Sequence, residues 1–503
     1  MKNRTTVPAN KIINIRFGGI LGDKANRIYL TVFLFKKLGL SPGLPVTLKI
    51  GQMYRQTVIE QVHSNSKTIE TVLFTSPDLY AQCQITTESA ITLKYNYIEN
   101  ILSLGPLIGL FTVRNALSEG TFGSQESTLL ALANSSECLS GLVFVFCPED
   151  INWDMSFITG YIPIAENLPE QKPEDNQAPW VSSIWKPVVV PLPDVVYDRL
   201  PSRTIEAKPD VMEAKSRLMA LPNCLYFNPM FLDKWETHLV LREINEASAY
   251  LPPTKLVETP EEIKEFLLLY KSIFLKPSSG SLGRRIIKIL LDEHGHFKYM
   301  YRSRDKQTLE GTTADFLALI NMLRPIMGKR TYVAQKDLHL AKYEDCPFDI
   351  RVLAQKDKRG NWRRTKIYVR KAAPDSFLSN LSDGARPKSI SKVLKEVFAA
   401  DFQASHGLGE DIRRVVREIP PALERGTGKI WGELGIDLGI DRHGKLWLIE
   451  INSKPFRTLV SESGFFKIVK RSLMRPLEFS KFLAGYYRHS SVDPHLVNLP
   501  PGD

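Results

Sequence analysis

The stretch DLGIDRHGKLWLIEINSKP, residues 437–455, sets two carboxylates and a carboxamide among apolar residues that are typical of buried strands. The polar residues are Asp437, Glu450 and Asn452, and burying charge without a partner is costly. Residues 442–445, RHGK, separate two strand-like runs and predict a hairpin turn. The stretch therefore predicts two neighbouring strands that carry a polar site.

The register of this hairpin decides whether the three polar side chains meet. If Asp441 pairs with Leu446 across the turn, the antiparallel register also pairs Asp437 with Glu450. Because side chains alternate along a strand, Glu450 and Asn452 point to one face. Converging carboxylates suit a hard cation such as Mg²⁺, which prefers oxygen ligands and commonly retains substrate phosphates. A solvent-facing polar strip on an amphipathic hairpin is the alternative interpretation.

A second motif, FLKPSSGSLGRRIIKI at residues 274–289, has Lys276 at the end of an apolar strand and a Gly/Ser loop directly after it. Small residues let backbone N–H groups approach a polyphosphate closely, and a lysine adds a point charge. The motif is neither a Walker A nor a GxGxxG sequence. A plain hairpin between two strands remains the alternative.

A third region contains FDIRVLAQ at residues 348–355 and KIYVRKAA at residues 366–373, which predict a pair of strands. Arg351 lies at the start of the first strand. Arg370 and Lys371 lie near the end of the second. A salt-bridged sheet surface would also explain these charges.

Changes of pattern along the chain predict a multi-domain α/β (α+β) protein. Residues 1–100 are β-rich and indicate a small barrel-like domain, with one helix that ends at Gly39 or Gly43. Residues 101–205 contain apolar runs of the kind buried in parallel sheets, and a helical segment separates two of them. Residues 206–485 alternate helices and strands, and residues 486–503 form a tail.

Composition excludes several classes of protein. The chain has no apolar run of about 18 residues, and its N-terminus lacks the apolar core of a secretory signal, so we expect a cytoplasmic protein without a membrane span. The net charge is +11, but the basic residues are spread out, so specific nucleic-acid binding is not favoured. Five scattered cysteines fit reduced thiols. A hairpin turn explains the His294–His296 pair more simply than a metal site.

The three motifs occur in a specific order: a lysine before a Gly/Ser loop, a D-x-R strand, and then D…E-x-N-x-x-P. This order resembles an ATP-grasp domain over roughly residues 206–480. Other segments, including GPLIGLF, VFCPEDI, PLPDVVYDRLPSR and LPPTKLVETPEEIKEFL, resemble the YheC/YheD family of endospore coat-associated proteins over about residues 100–480. The resemblance implies that residues 101–205 are a pre-ATP-grasp domain and that residues 206–485 are the ATP-grasp domain.

The resemblance also implies a metal site and a phosphate site. Asp437, Glu450 and Asn452 would hold one or two Mg²⁺ ions that bridge the phosphates of ATP. Lys276 would contact the α- and β-phosphates, and Lys234 matches an earlier lysine of the central subdomain. The loop that would close over the phosphates contains Ser279, Gly280, Ser281 and Gly283.

A hinge strand would read the adenine edge, and it corresponds here to Gln335, Lys336, Asp337 and Leu338. Many ATP-grasp proteins have an acidic residue just after this strand. In this chain Lys336 or Asp337 would carry that role.

Three basic residues correspond to the family's reaction centre. Arg351 would stabilise the transferring phosphoryl group, and Arg370 or Lys371 would face the phosphates or an acyl-phosphate. Many ligases have an arginine two residues before the first metal ligand. That position is Gly435 here, so a shared mechanism must depend on Arg351.

The implied activity is that of an Mg²⁺–ATP-dependent ligase that joins a carboxylate to an amine or thiol through an acyl-phosphate. One alternative is a non-catalytic ATP-binding or structural protein of the endospore coat, with coat proteins as partners. A phosphotransferase acting on a hydroxyl group is the other. The implied location is the cytoplasm, with association with the endospore coat. The sequence does not name the acceptor substrate.

Overall fold

The computed structural model of this chain describes residues 10–62, 71–83, 90–114, 122–165, 183–280, 283–303, 307–372, 386–398, 402–455 and 466–487. Ser281 of the predicted phosphate loop lies outside these ranges, as does the predicted tail beyond Tyr487. The chain forms two compact units. The first contains residues 1–230, 356–361 and 456–503, and the second contains residues 231–355 and 362–455.

The N-terminal part of the first unit is a closed barrel, as the β-rich pattern predicted. Its described strands are β1 (Asn10–Ile20), β2 (Arg27–Thr31), β3 (Pro45–Ile50), β4 (Met53–Val62), β5 (Val72–Thr75), β6 (Ala90–Asn96) and β7 (Ile101–Gly105). Their order around the barrel is β1-β5-β2-β4-β3-β7-β6, and β1 pairs with β6 to close it. Alternate residues of β1 (Ile13, Ile15 and Phe17) are buried, because successive side chains of a strand point to opposite faces.

Two of the described helices connect strands of the barrel, α1 (Val32–Leu38) and α2 (Pro77–Cys83). The side chain of Thr31 accepts a hydrogen bond from the Leu34 N–H at the start of α1. Gly39 ends the helix with a φ of 69°, a left-handed conformation that costs glycine little. Gly39 is therefore the stop signal, and Gly43 is not.

A mixed sheet forms the rest of the first unit. Its described strands are β8 (Leu107–Phe111), β9 (Leu142–Phe146), β10 (Ile151–Asn152), β11 (Phe157–Ala165), β12 (Ser183–Pro191), β13 (Val195–Asp198) and β14 (Leu225–Phe227). Their order is β10-β11-β9-β8-β13-β14, and β12 pairs with β11. The neighbours β9, β8, β13 and β14 are parallel. The buried parallel strands predicted from the apolar runs are thus confirmed.

Helices of this region are α3 (Glu126–Asn134), α4 (Arg203–Glu206), α5 (Pro209–Met219) and, near the C-terminus, α12 (Phe466–Leu483). Short 3₁₀ turns occur at Gly123–Gln125, Ser135–Cys138 and Pro148–Asp150. No helix in the described ranges is both long enough and apolar enough to cross a membrane. The division of the chain at residues 100, 205 and 485 stays a prediction.

The second unit begins with an antiparallel sheet. Its described strands are β15 (Thr254–Val257), β16 (Ser272–Pro277), β17 (Ile287–Leu291), β18 (Phe297–Arg302), β19 (Thr308–Thr313) and β20 (Tyr332–Lys336). Their order is β15-β20-β16-β17-β18-β19.

Helices α8 (Pro260–Tyr270) and α9 (Phe316–Met327) pack on one face of this sheet, where Ile273, Leu275 and Ala334 are buried in a common core. Since side chains alternate, Lys276 and Gln335 point to the opposite face. Helix α8 begins with a capping box, in which Thr259 is the cap and Pro260 is the first helical residue, and the sequence TPEE is typical of such a start.

A second sheet follows in the chain. Its described strands are β21 (Lys342–Tyr343), β22 (Cys346–Lys356), β23 (Trp362–Lys371), β24 (Arg386–Lys388), β25 (Glu433–Ile440) and β26 (Leu446–Asn452). Their order is β24-β23-β22-β25-β26, with β21 on β22. The remaining described helices of the unit are α6 (Lys234–Arg242), α7 (Asn245–Ser248), α10 (Ile390–Val397) and α11 (Phe402–Thr427). The predicted pair FDIRVLAQ and KIYVRKAA corresponds to the neighbouring strands β22 and β23, of which β23 ends at Lys371. Because β22 begins at Cys346, Arg351 lies in the middle of its strand and not at the predicted start.

The β25–β26 hairpin pairs Asp437 with Glu450, as predicted, but reaches this register differently. At the turn Ile440 pairs with Leu446, so the predicted pairing of Asp441 with Leu446 is wrong. A β-bulge between Asp437 and Leu438 shifts the register by one residue and restores the predicted pair.

The side chain of Asp441 explains the difference at the turn. It accepts hydrogen bonds from the backbone N–H groups of His443 at 2.9 Å and Lys445 at 3.0 Å. The Trp447 indole N–H also donates to it, at 2.9 Å. Asp441 therefore organises the turn through its side chain, and the preceding residue, Ile440, pairs with Leu446.

Candidate active site

The carboxylate of Asp437 lies between two guanidinium groups. Asp437 is only 5% exposed on β25. Its Oδ1 is 3.0 Å from Arg351 Nε, and its Oδ2 is 3.0 Å from Arg370 Nη2. Asn452 Nδ2 donates to Oδ2 at 3.5 Å. Neighbouring strands of one sheet thus deliver a carboxylate, two cations and a carboxamide to one spot.

Two atoms of this cluster have no hydrogen-bond partner within the described part of the chain. They are Asp437 Oδ1, which meets Arg351 Nε at ion-pair distance but not in hydrogen-bond geometry, and Arg351 Nη1. Leaving a buried donor or acceptor unpaired costs about 1–3 kcal/mol. A ligand that supplies both a positive and a negative partner would remove this cost.

Arg370 is held from both sides. Its Nε and Nη2 donate to the two oxygens of Asp349, each at 2.6 Å. Burial alone would lower the pKa of Arg370, but the carboxylates of Asp437 and Asp349 raise it well above its usual value. Arg370 is therefore a fixed positive charge beside Asp437.

Gly435 makes room for the Arg351 guanidinium. A Cβ atom at position 435 would lie 2.7 Å from Arg351 Nη1 and 3.1 Å from the Cβ of Pro455. The arginine on β22 thus occupies the space above position 435 of β25. The glycine at this position is a condition for the placement of Arg351.

Glu450 pairs with a lysine from a different element. Lys234 Nζ lies 3.2 Å from Glu450 Oε1 and donates to the Gly280 carbonyl at 3.0 Å. Lys234 is the first residue of α6, after the N-cap Asp233. Asp233 also accepts a hydrogen bond from the Ser278 hydroxyl at 2.5 Å. The start of α6 is therefore joined to the start of the predicted phosphate loop.

Lys276 is 9% exposed and donates from Nζ to Gln335 Oε1 at 2.5 Å. Gln335 Nε2 in turn donates to Thr254 Oγ1 at 3.2 Å. Burial lowers the pKa of Lys276 to about 8, and the nearby Lys234 also lowers it, while Glu450 opposes the shift. Lys276 is consequently a cation that is held in the interior at a cost.

One cavity joins these groups. Lys234, Lys276, Gln335 and Glu450 line it together with apolar side chains. The apolar lining includes Leu241, Leu251, Pro252, Val333, Leu448 and Ile451. Charged groups beside an apolar wall match a ligand with an anionic part and a flat apolar part.

The other predicted hinge residues lie in different surroundings. Lys336 Nζ is 5.4 Å from the centre of the Tyr270 ring, on the side of α8. Asp337 is buried and accepts hydrogen bonds from Ser272 Oγ at 2.8 Å and Lys288 Nζ at 2.7 Å. Burial would raise the pKa of Asp337, but Lys288 and Ser272 hold it below its usual value. Leu338 is half-buried after the strand.

Lys371 lies apart from Asp437, whereas the predicted phosphate loop meets Lys234 through Gly280. Lys371 pairs with Glu344, away from Asp437. In the loop, Ser279 is exposed, the Gly280 carbonyl accepts from Lys234, and Gly283 has a φ of 66°. The structure thus brings Arg370 to the Asp437 cluster, and it does not bring Lys336 or Lys371 there.

Sequence reasoning missed several contributors. Asp349 shares a strand face with Arg351, because the two residues are two positions apart. That spacing was visible, but the partner of Asp349 was not. Lys288 lies near the end of the second motif, which assigned it no role, and Thr254 comes from a strand outside the motifs. Their roles depend on strand order, which one sequence does not reveal.

The side chains around Asp437 offer oxygen atoms, which Mg²⁺ prefers as ligands. No group of three or more His, Cys, Asp and Glu side chains that could hold a metal occurs among the described residues. Asp437, Glu450 and Asn452 instead offer two carboxylates and a carboxamide oxygen, and one Asp437 oxygen lacks a hydrogen-bond partner. Oxygen donors of this kind fit Mg²⁺ when a ligand and waters complete the coordination.

The comparisons with known proteins agree with this architecture. A model of the YheC/D-like ATP-grasp family matches residues 223–483, just over half of the 503-residue chain. The chain belongs to this family. The predicted fold, with a β-rich domain, an α/β domain and an ATP-grasp domain, is confirmed.

Two curated YheC/D relatives come from Bacillus subtilis (strain 168). The endospore coat-associated protein YheD is 28% identical over 400 residues, which cover 77% of this chain and 80% of YheD. The endospore coat-associated protein YheC is 27% identical over 280 residues, which cover 55% of this chain and 74% of YheC.

A solved structure that resembles the chain is D-alanyl-alanine synthetase A from Vibrio cholerae. Its TM-score is 0.41 at 13% identity, covering 76% of this chain and 98% of the synthetase. This similarity is too low to carry an argument about function.

Proposed function

We propose that this YheC/D-like protein is an Mg²⁺–ATP-dependent ligase that joins a carboxylate to an amine or thiol through an acyl-phosphate. The observation that carries the proposal is that Asp437 Oδ1 and Arg351 Nη1 both lack a hydrogen-bond partner among the described residues, although the two side chains form an ion pair. A cation together with an anionic oxygen would satisfy both atoms, and a metal–phosphate group presents this combination.

The charges of the site favour a nucleotide that binds together with a cation. In the described part of the cluster, the cationic side chains are Arg351, Arg370, Lys234 and Lys276, and the carboxylates that act on them include Asp349, Asp437, Glu450 and Asp337. Because these charges are close to balanced, a triphosphate alone would add uncompensated negative charge, and a metal ion offsets part of it. We therefore expect the cation to bind together with the nucleotide.

The proposed reaction has two steps. An oxygen of the substrate carboxylate attacks the γ-phosphorus of ATP, the bond from that phosphorus to the β–γ bridging oxygen breaks, and ADP leaves. The amine then attacks the acyl-phosphate carbonyl, inorganic phosphate leaves, and the amine gives up a proton. Positioning and charge neutralisation suffice for both steps, so no side-chain nucleophile is required.

Each group of the site has a task in this proposal. Mg²⁺, when held by Asp437, Glu450 and Asn452, supplies neutralisation of phosphate charge. Arg351 stabilises the negative charge that develops on the transferring phosphoryl group. Between the two candidates for an additional phosphate contact, we favour Arg370, because Lys371 is paired with Glu344.

The nucleotide would bind in the cavity that Lys234, Lys276, Gln335 and Glu450 line. Lys276 contacts the α- and β-phosphates, and the loop with Ser279, Gly280, Ser281 and Gly283 closes over them. Lys234 supports the loop through the Gly280 carbonyl. The adenine edge meets the segment from Gln335 to Leu338. Since the Lys336 side chain lies beside Tyr270, its contribution comes from the backbone.

A second candidate function is a non-catalytic ATP-binding protein of the endospore coat. The names of YheD and YheC as endospore coat-associated proteins favour an association of this chain with the coat and its proteins. We propose this association for the ligase as well. Phosphoryl transfer to a hydroxyl group would use the same metal and lysine residues.

Product analysis of the full chain with Mg²⁺–ATP separates these functions. ADP release that requires both a carboxylate and an amine or thiol, drawn from pools of each, supports the ligase. A phosphorylated hydroxyl product supports the phosphotransferase. Calorimetric binding of ATP without ADP release supports the binding protein. Absence of nucleotide binding would contradict all three, and Asp437→Asn serves as the control without turnover.

A further inference from the structure

We propose that Asp349 is a positioning residue that prevents Arg370 from donating a hydrogen bond to Oδ1 of Asp437, so that this oxygen, which faces Arg351 without a hydrogen bond, can accept a ligand. This inference rests on the proposed function, because the ligand is the cation that accompanies the nucleotide. Asp349 acts through Arg370 and does not itself touch the ligand.

The contacts of Arg370 define the arrangement. Its Nε and Nη2 edge forms a fork with both oxygens of Asp349, each bond measuring 2.6 Å. Asp437 receives a single contact from the same guanidinium, from Nη2 to Oδ2 at 3.0 Å. Arg370 and Asp349 are 4% and 5% exposed, so water does not compete for the fork. Asp349 therefore takes the bidentate edge of Arg370.

Two carboxylates compete for this edge. A guanidinium binds a carboxylate most strongly through two parallel N–H groups. If position 349 carried no negative charge, the edge of Arg370 would turn to the charged carboxylate that remains, Asp437. Both Asp437 oxygens would then accept from Arg370, including Oδ1, which has no hydrogen-bond partner among the described residues.

The strand geometry couples this arrangement to the rest of the site. Asp349 and Arg351 are two positions apart on β22, so they project to the same face. Arg351 meets Asp437 directly through Nε, and Asp349 controls the second arginine that meets it. One short segment thus sets both positive partners of Asp437.

The test uses Mn²⁺ as a paramagnetic probe of the cation site. Free Mn²⁺ is measured by electron paramagnetic resonance during titration of the full chain with the non-hydrolysable analogue AMP-PNP present. Asp349→Asn is expected to raise the Kd for Mn²⁺ at least about tenfold, as changes beside a metal ligand commonly do. AMP-PNP affinity in EDTA is expected to fall much less than the affinity for Mn²⁺, because the proposed phosphate contacts of Lys276 and Arg351 do not depend on Asp349.

A double variant distinguishes positioning from a merely structural role. In D349N/R370K, the lysine keeps its charge but has no bidentate edge, so Asp437 Oδ1 becomes available again. We expect this variant to bind Mn²⁺ more tightly than D349N. If the double variant binds Mn²⁺ no more tightly than D349N, the proposal that the two carboxylates compete for Arg370 is wrong.

Asp441→Asn is the matched control. Asp441 is another buried aspartate, directly after β25, and its side chain organises the β25–β26 turn. The Asp441→Asn substitution is expected to lower the melting temperature without changing the Kd for Mn²⁺. If D349N does not fold, Asp349→Ser is measured in its place with the same expected loss.

The possible failures are distinguishable. Wild-type Mn²⁺ binding by a folded D349N chain overturns the role of Asp349 and leaves the proposed function standing. If the wild-type chain binds no Mn²⁺ in the presence of AMP-PNP, the proposed function fails, and the role of Asp349 fails with it.

Discussion

Two buried lysines, one in each unit, share an electrostatic property but have different surroundings. Lys276 in the second unit and Lys481 in the first are 9% and 5% exposed. Burial lowers the pKa of each to about 8. Lys481 donates to Thr92 Oγ1 at 2.8 Å and to the Leu139 carbonyl at 2.5 Å, both of them neutral groups fixed by the fold.

Lys276 is also buried, but its neighbours are charged side chains. Glu450, Lys234 and Asp437 all influence its pKa, and its Nζ donates to the side chain of Gln335. A perturbed pKa therefore does not mark a functional site by itself. What distinguishes Lys276 is a cavity and unpaired atoms among its neighbours. Lys481 instead joins α12 to β6 within the first unit.

The largest expected effect comes from the carboxylates beside Lys276. Asp437→Asn or Glu450→Gln should reduce Mg²⁺-dependent nucleotide turnover by about 10³-fold or more, because each removes a charged oxygen from the proposed cation site. Turnover is measured as ADP release, and folding is checked by thermal melting. Unchanged turnover in both folded variants would contradict the metal assignment.

Replacing each of the two lysines by methionine tests the comparison directly. Lys276→Met should weaken nucleotide binding by about 100-fold, since it removes a charge-assisted contact to phosphate. Its melting temperature should stay or rise, because a charge that burial disfavours is gone. Lys481→Met should leave nucleotide binding intact. It should cost about 1–3 kcal/mol of unfolding free energy, because two buried acceptors lose their donor.

Calorimetry and thermal melting of both lysine variants provide the readout. The expected pattern is crossed, with loss of binding in one variant and loss of stability in the other. Equal loss of nucleotide binding in both would show that the contrast between the two surroundings has no functional meaning.

A glycine pair on β25 sharpens the assignment of Arg351. Gly435→Ala should lower turnover about tenfold, because a Cβ would lie 2.7 Å from Arg351 Nη1 and displace the guanidinium. Gly439→Ala is the matched control, since the atoms nearest to its Cβ belong to the apolar side chains of Leu340, at 2.6 Å, and Ile449, at 3.0 Å. Both variants should lose some stability. Equal turnover in the two would argue against a role for the space above Gly435.

The smallest expected effect concerns pH. Lys276 is protonated below a pH of about 8 and loses its charge as the pH rises above it. Affinity for the nucleotide should therefore fall between pH 7 and pH 9, by at most about tenfold per pH unit. Lys276→Arg should flatten this profile, because arginine stays charged. Lys481→Met should not change it. A profile in Lys276→Arg as steep as in the wild type would assign the titration to another group.

The prediction of the Asp437–Glu450 pair was correct because two departures from the assumed register cancel. The turn pairs Ile440, not Asp441, with Leu446, and the bulge after Asp437 restores the predicted register. The antiparallel hairpin could be predicted from local rules, but the bulge could not. The capping box of α8 and the parallel run of β8 and β9 follow from equally local signals.

Side-chain direction could not be predicted where it depends on non-local neighbours. Alternation shows that Arg370 and Lys371 face opposite sides of β23, but only the sheet order shows which of them meets Asp437. The same limitation applies to Lys336, which lies beside Tyr270. Lys481 has no marker in its own sequence, because its partners are hundreds of positions away along the chain.

A crystal structure of the chain with Mg²⁺ and AMP-PNP tests the central claim most directly. We predict a cation on Asp437 and Glu450, and phosphate oxygens within hydrogen-bond distance of Lys276 and Arg351. Lys481 should keep its bonds to Thr92 and Leu139 unchanged. An analogue bound elsewhere, or phosphates without contact to Lys276 and Arg351, would contradict the account.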